Sequence, residues 1–127
     1  MNILWFKDCN YGNKHLIGGK CASLGELYNL SKKLNFNISD GFAITTLFYD
    51  NLLKKNNLKN IIEDELNKVD IDNINHLNEI SLKLKNFIKS CKLDTEEINE
   101  LEENFNKLLS LKENSSVAIR SSAVAED

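Results

Sequence analysis

The chain has no proline, a single arginine, only three cysteines, and no apolar run approaching the roughly 18 residues that cross a bilayer. The last of these excludes a helical membrane span. The opening MNILWFKDCN also lacks a basic stretch, a long apolar segment and a small-residue cleavage site, so no secretory leader is expected. Cys9, Cys21 and Cys91 are odd in number and show no CxxC spacing, which argues against a disulfide framework and a zinc site and fits a reducing, cytoplasmic setting. Fifteen lysines and the one arginine are interleaved with nineteen acidic residues, for a net charge of −3. That pattern is a solvated surface, not a footprint for nucleic acid. There is no Walker A loop and no serine-hydrolase, glycosidase or Cys/His arrangement. His15 and His76 have no carboxylate or cysteine at metal-ligand spacing and read as surface histidines. No repeat of about 20–50 residues is visible.

What is present is a globular composition, 42% hydrophobic and 28% charged, in a length of 127 residues that suits one domain. Three zones separate. All five glycines lie before Thr46, residues 47–111 contain none, and residues 112–127 are small and polar around Val117, Ala118 and Ile119. In the first zone Ile3–Phe6 reads as a short strand, and Gly18-Gly19 breaks the chain before a helix over about 21–34. Leu24, Leu27, Tyr28, Leu30 and Leu34 suggest its apolar stripe. Asp40-Gly41 marks a turn into a strand over 42–45, and Thr45 or Thr46 is placed to cap a helix running to about Lys55.

The middle zone repeats apolar residues at helical spacing: Leu58, Ile61, Ile62, Leu66 and Val69, then Ile74 through Cys91, then Ile98, Leu101, Phe105, Leu108 and Leu109. Asp94 and Glu97 resemble a capping box for the last of these, and Glu96–Glu103 reads as a solvated helix face. The β-branched Val117 and Ile119 predict a strand over 116–120. The fold class is therefore α+β, with short strands flanking a helical middle.

Two segments carry chemistry. In Gly18-Gly19-Lys20-Cys21-Ala22-Ser23-Leu24-Gly25-Glu26, paired glycines let backbone N–H groups approach an anion, and a helix start adds partial positive charge. Lys20 supplies a mobile point charge for phosphate oxygens. The plainer alternative is an ordinary glycine turn. Cys21, beside Lys20, reads as a small filler or as a thiol of lowered pKa. In Ser116-Val117-Ala118-Ile119-Arg120-Ser121-Ser122-Ala123-Val124-Ala125-Glu126-Asp127, the sole arginine offers the planar fork that grips phosphate through two bonds. Small neighbours would let a ligand lie close. The alternative is a surface arginine at a strand end.

GGKCASLGEL, DGFAITT and SVAIRSSAVAED, in that order and separation, resemble the phosphoenolpyruvate synthase (pyruvate, water dikinase) family. More broadly they resemble the amino-terminal nucleotide-binding domain of the pyruvate phosphate dikinase superfamily. The resemblance covers nearly the whole chain and is loose in the helical middle. It implies the amino-terminal portion of an ATP-grasp domain, with Gly18, Gly19, Lys20 and Arg120 binding ATP. It also implies a kinase-type phosphotransferase in which a separate domain's histidine carries phosphate to pyruvate on a barrel domain. ATP, pyruvate and water would then give AMP, phosphoenolpyruvate and phosphate with Mg2+, a gluconeogenic reaction. Neither His15 nor His76 matches that histidine. Ser39 stands where the family usually has proline before the GF turn, leaving that turn less rigid. Residues 1–127 are expected to be an incomplete ATP-grasp domain, inactive alone. The Mg2+ ligands, the histidine domain and the barrel that takes pyruvate would lie outside it. The RSSAVAED ending favours the synthase branch. Rifampicin-type antibiotic phosphotransferases share the motifs, and a non-catalytic helical interaction module is a further alternative.

Overall fold

A computed structural model describes residues 1–111 and 116–124. The element order is β1 (Ile3–Trp5), α1 (Lys14–Leu34), β2 (Phe42–Ile44), α2 (Thr46–Lys55), α3 (Leu58–Asn67), α4 (Ile74–Lys89) and α5 (Thr95–Ser110), with 3-10 turns at Phe6–Asp8 and Tyr11–Asn13. The chain divides into two compact units, Met1–Tyr49 with Thr95–Asp127, and Asp50–Asp94.

In the first unit β1 and β2 pair antiparallel, with Ile3 opposite Ile44, Leu4 opposite Ala43 and Trp5 opposite Phe42. Two strands of three residues cannot stand alone in water, so the ribbon depends on what covers it. α5 ties to β1 through polar tips: the Trp5 indole N–H donates to Asn104 Oδ1 at 2.8 Å, and Asn2 Nδ2 donates to Glu100 Oε2 at 2.8 Å. The Lys107 ammonium lies 4.8 Å from the Trp5 ring centroid, a cation–π contact. The core itself is small: Leu4, Cys9, Ile17, Cys21 and Ala22, with Phe6, Leu16 and Ala43 against it.

α1 does not bury the face its leucines suggest. Leu24, Leu27, Leu30 and Leu34 are 37–63% exposed, whereas Ile17, Cys21, Ala22, Gly25 and Ser31 are buried. The reason is proximity of backbones. A Cβ on Gly25 would fall inside the Cys9 carbonyl and Cβ, so the inward face must be made of small residues. The helix also starts earlier than expected, at Lys14, and is interrupted at Gly18.

No turn forms at the expected Asp40-Gly41; these residues lead irregularly into β2, with Asp40 Oδ1 accepting from the Gly41 N–H at 2.8 Å. α2 begins at Thr46. Thr45 Oγ1 donates to the Met1 carbonyl and Thr46 Oγ1 to the His15 carbonyl. Glu97 is buried, so the acidic run of α5 is not wholly a solvated face.

The expected strand over 116–120 is not formed, and all five residues are exposed. β-branched residues favour a strand only where an edge offers hydrogen-bond partners. The sheet here is two-stranded, β1 with β2. The fold is α+β, but both described strands precede the helical middle and do not flank it. Residues Ala125, Glu126 and Asp127 of the last motif lie outside the described residues.

The second unit is helical. Asn73 Oδ1 accepts from the His76 N–H at 3.1 Å and caps α4. His76 Nδ1 accepts from the Asp70 N–H. α3 and α4 pack together and leave an apolar cleft of about 310 Å³ lined by Leu66, Val69, Leu77, Ile80, Leu84 and Ile88; Leu58 and Ile80 are buried. Glu65 accepts from Lys83 Nζ at 2.6 Å and from Lys68 Nζ at 3.2 Å, and these two ammoniums hold its carboxyl below the usual range. Among the described residues, no helix is long and apolar enough to cross a membrane.

Candidate functional site

Gly18 has φ 76° and ψ 166°, a left-handed backbone that ends the first turn of α1 and restarts the helix at Gly19. In an unbroken helix the Ile17 carbonyl would accept from the Cys21 N–H. Here the hydroxyl of Ser122 is inserted between them, donating to the Ile17 carbonyl at 2.8 Å and accepting from the Cys21 N–H at 3.1 Å. A serine 101 residues away from Cys21 thus does for the restarted helix what a local N-cap does elsewhere. The fit is close. A Cβ on Gly18 would lie 2.5 Å from Ser122 Oγ and 2.7 Å from the Ser122 carbonyl carbon and oxygen.

This contact brings the two sequence motifs together. Gly18 is buried at the break, Gly19 is half-buried, and Lys20 is exposed in the first turn of the restarted helix. Arg120 is exposed, two residues before the Ser122 anchor and so within about 7 Å of chain from it. The small residues beside Arg120 have a different use from the one expected. Ser122 is committed to the helix break and not to leaving room for a ligand. The sequence contained that residue inside the motif but carried no local signal for its partner, because the pairing is wholly non-local.

Beneath the same turn, Cys21 Sγ lies 3.9 Å from Cys9 Sγ, and both thiols are buried. Cys9 Sγ also donates to the Leu4 carbonyl at 3.7 Å. Proton sharing with Cys9 draws the Cys21 thiol below its ordinary range, against the opposing effect of burial. The same sharing, together with burial, holds the Cys9 thiol well above it. Among the described residues no three His, Cys, Asp or Glu side chains converge as metal ligands.

Ser122 thus fills the space beside Gly18 and takes the Cys21 N–H, while Lys20 and Arg120 lie exposed on the two segments that meet at this break. The model of the family described as pyruvate phosphate dikinase, AMP/ATP-binding domain, matches residues 14–127, from the first residue of α1 onward. The phosphoenolpyruvate synthase of Helicobacter pylori is 35% identical over 128 residues, covering 98% of this chain and 16% of that protein. That of Escherichia coli is 30% identical over 125 residues, with the same coverage of 98% and 16%. The rifampicin phosphotransferase of Bacillus subtilis is 29% identical over 112 residues, covering 88% of this chain and 12% of that protein. The chain thus spans 16% of the length of these two synthases. With 114 of its residues inside the family match, the chain belongs to the pyruvate phosphate dikinase AMP/ATP-binding domain family.

Proposed function

We propose that residues 1–127 form part of an ATP-grasp nucleotide-binding domain of a phosphoenolpyruvate synthase, and that Gly18, Gly19, Lys20 and Arg120 bind the phosphates of ATP. The observation that carries this reading is the Ser122 hydroxyl seated in the Gly18 break, which joins the glycine turn to the arginine segment. Backbone N–H groups at the restarted helix would face the anion, and the macrodipole favours negative charge there. Lys20 would act as a point charge on the phosphates, and Arg120 would hold a phosphate through two parallel N–H···O bonds. In the whole enzyme the phosphoryl group would pass to a histidine on another domain and then to pyruvate on a barrel domain. The Mg2+ ligands would also lie outside the described residues.

The test is calorimetric titration of the protein with ATP. One charge-assisted bond is worth on the order of 1.5–3 kcal/mol, so losing the fork in Arg120→Lys is expected to weaken binding roughly 10- to 150-fold. Lys20→Ala should weaken it as well with the fold intact, since an exposed turn lysine contributes little to stability. Unchanged affinity in both variants would return the two segments to a glycine turn and a surface arginine. The likeness to rifampicin phosphotransferase supports a second reading, in which the same nucleotide half serves a different phosphate acceptor. Assaying pyruvate against rifampicin as the acceptor in the whole enzyme separates the two.

A further inference from the structure

Two of the three cysteines meet, although twelve positions separate them and no sequence motif joins them. Cys9 follows the 3-10 turn after β1, and Cys21 sits in the first turn of the restarted α1. Their sulfurs are 3.9 Å apart, in contact and facing one another. Closing that gap to a bond of about 2.05 Å asks each sulfur to move by about 1 Å. Cys21 is 6% exposed and Cys9 is fully buried, so a reagent reaching the pair must be small and must meet Cys21 first. Cys21 also stands at a helix N-terminus, where partial positive charge favours a thiolate.

We propose that Cys9 and Cys21 form a reversible oxidation site, closed to an intrachain disulfide by a small hydroperoxide. The Cys21 thiolate attacks one peroxide oxygen; the O–O bond breaks, and the departing hydroxide takes up the proton Cys21 had lost and leaves as water. Cys21 is then a sulfenic acid. The Cys9 sulfur attacks Cys21 Sγ, the S–S bond forms as the S–O bond breaks, and the second hydroxide leaves as water with the Cys9 proton. Two thiols are oxidised by two electrons and one hydroperoxide is reduced to two waters, or to water and an alcohol if it is organic. The cross-link ties the start of the restarted helix to the turn that follows β1. A dithiol such as dithiothreitol reverses it by exchange. This inference does not depend on nucleotide binding.

The experiment treats the full chain with hydrogen peroxide under native conditions, alkylates all remaining thiols in denaturant, and maps the peptides by mass. Cys91 is half-buried, with its Sγ bonded to the Phe87 carbonyl, and serves as the internal reference. The expected result is a Cys9–Cys21 cross-linked peptide, lighter by two hydrogens than the sum of its parts, with Cys91 still alkylated. Dithiothreitol should restore three alkylatable thiols. Cys91→Ser should leave the cross-link intact, and Cys21→Ser should abolish it and leave Cys9 alkylatable. Recovery of all three thiols after peroxide, oxidation confined to Cys91, or cross-links shared among all three cysteines or between chains would each overturn the proposal.

Discussion

Gly18 and Ser122 act as one device. The glycine supplies a φ of 76° that breaks the helix, and the serine hydroxyl fills the hydrogen-bonding gap the break creates. Their substitutions should therefore be costly in different ways. Gly18→Ala meets both a left-handed backbone and the Ser122 carbonyl, so a loss of about 1–3 kcal/mol or more is expected from chemical denaturation. Ser122→Ala only removes the cap and should lose about 0.5–2 kcal/mol. If Gly18→Ala were neutral, the Ser122 segment would not be seated against the turn. Arg120 differs from both because it lies on the exposed segment and its replacement should leave stability within about 0.5 kcal/mol.

The helices show where residue patterning is a sufficient guide and where it is not. α2, α3, α4 and α5 lie close to the expected positions because each has apolar residues at helical spacing without an interrupting glycine or proline. α1 buries a different face from the one its leucines mark. A leucine count weighs transfer from water, while the actual constraint is the approach of Gly25 to the Cys9 backbone, which only small residues permit. The strand expected over 116–120 failed because propensity cannot supply an edge to pair with. Lys20 and Arg120 stand out in the sequence as candidate phosphate ligands, whereas the Ser122 bridge and the Cys9–Cys21 contact depend on tertiary closure and leave no local signal. Denaturation of variants on the two faces of α1 checks this difference in packing. Leu27→Ser on the exposed stripe should change stability by no more than about 0.5 kcal/mol, whereas Ala22→Leu, at a fully buried position, should lose about 1–3 kcal/mol by overpacking. The α3–α4 pair carries a pH dependence. Lys83 and then Lys68 depress the Glu65 carboxyl in the folded chain, so its contribution is present above the unfolded value of about 4.3 and is lost as pH falls through the lower folded value. In urea titrations at stepped pH, the advantage of the native chain over Glu65→Gln should shrink as the medium becomes acid. An advantage that grew instead would contradict the ion pairs.

At the scale of the whole molecule, residues near the two ends of the sequence converge on one helix break, and the family match runs through both. The helical residues between them form the Asp50–Asp94 unit and α5, and they supply none of the proposed phosphate contacts. In the proposed site, two segments about a hundred residues apart therefore act on a single ligand. The most direct measurement is a double-mutant cycle on ATP affinity, using Lys20→Ala, Arg120→Ala and the double variant, with thermal unfolding of each to confirm the fold. Groups that hold the same triphosphate should couple by about 0.5–3 kcal/mol, so the double variant should depart from the sum of the single losses. Two single losses that simply add would contradict a shared phosphate site, and two silent substitutions would remove both residues from nucleotide binding.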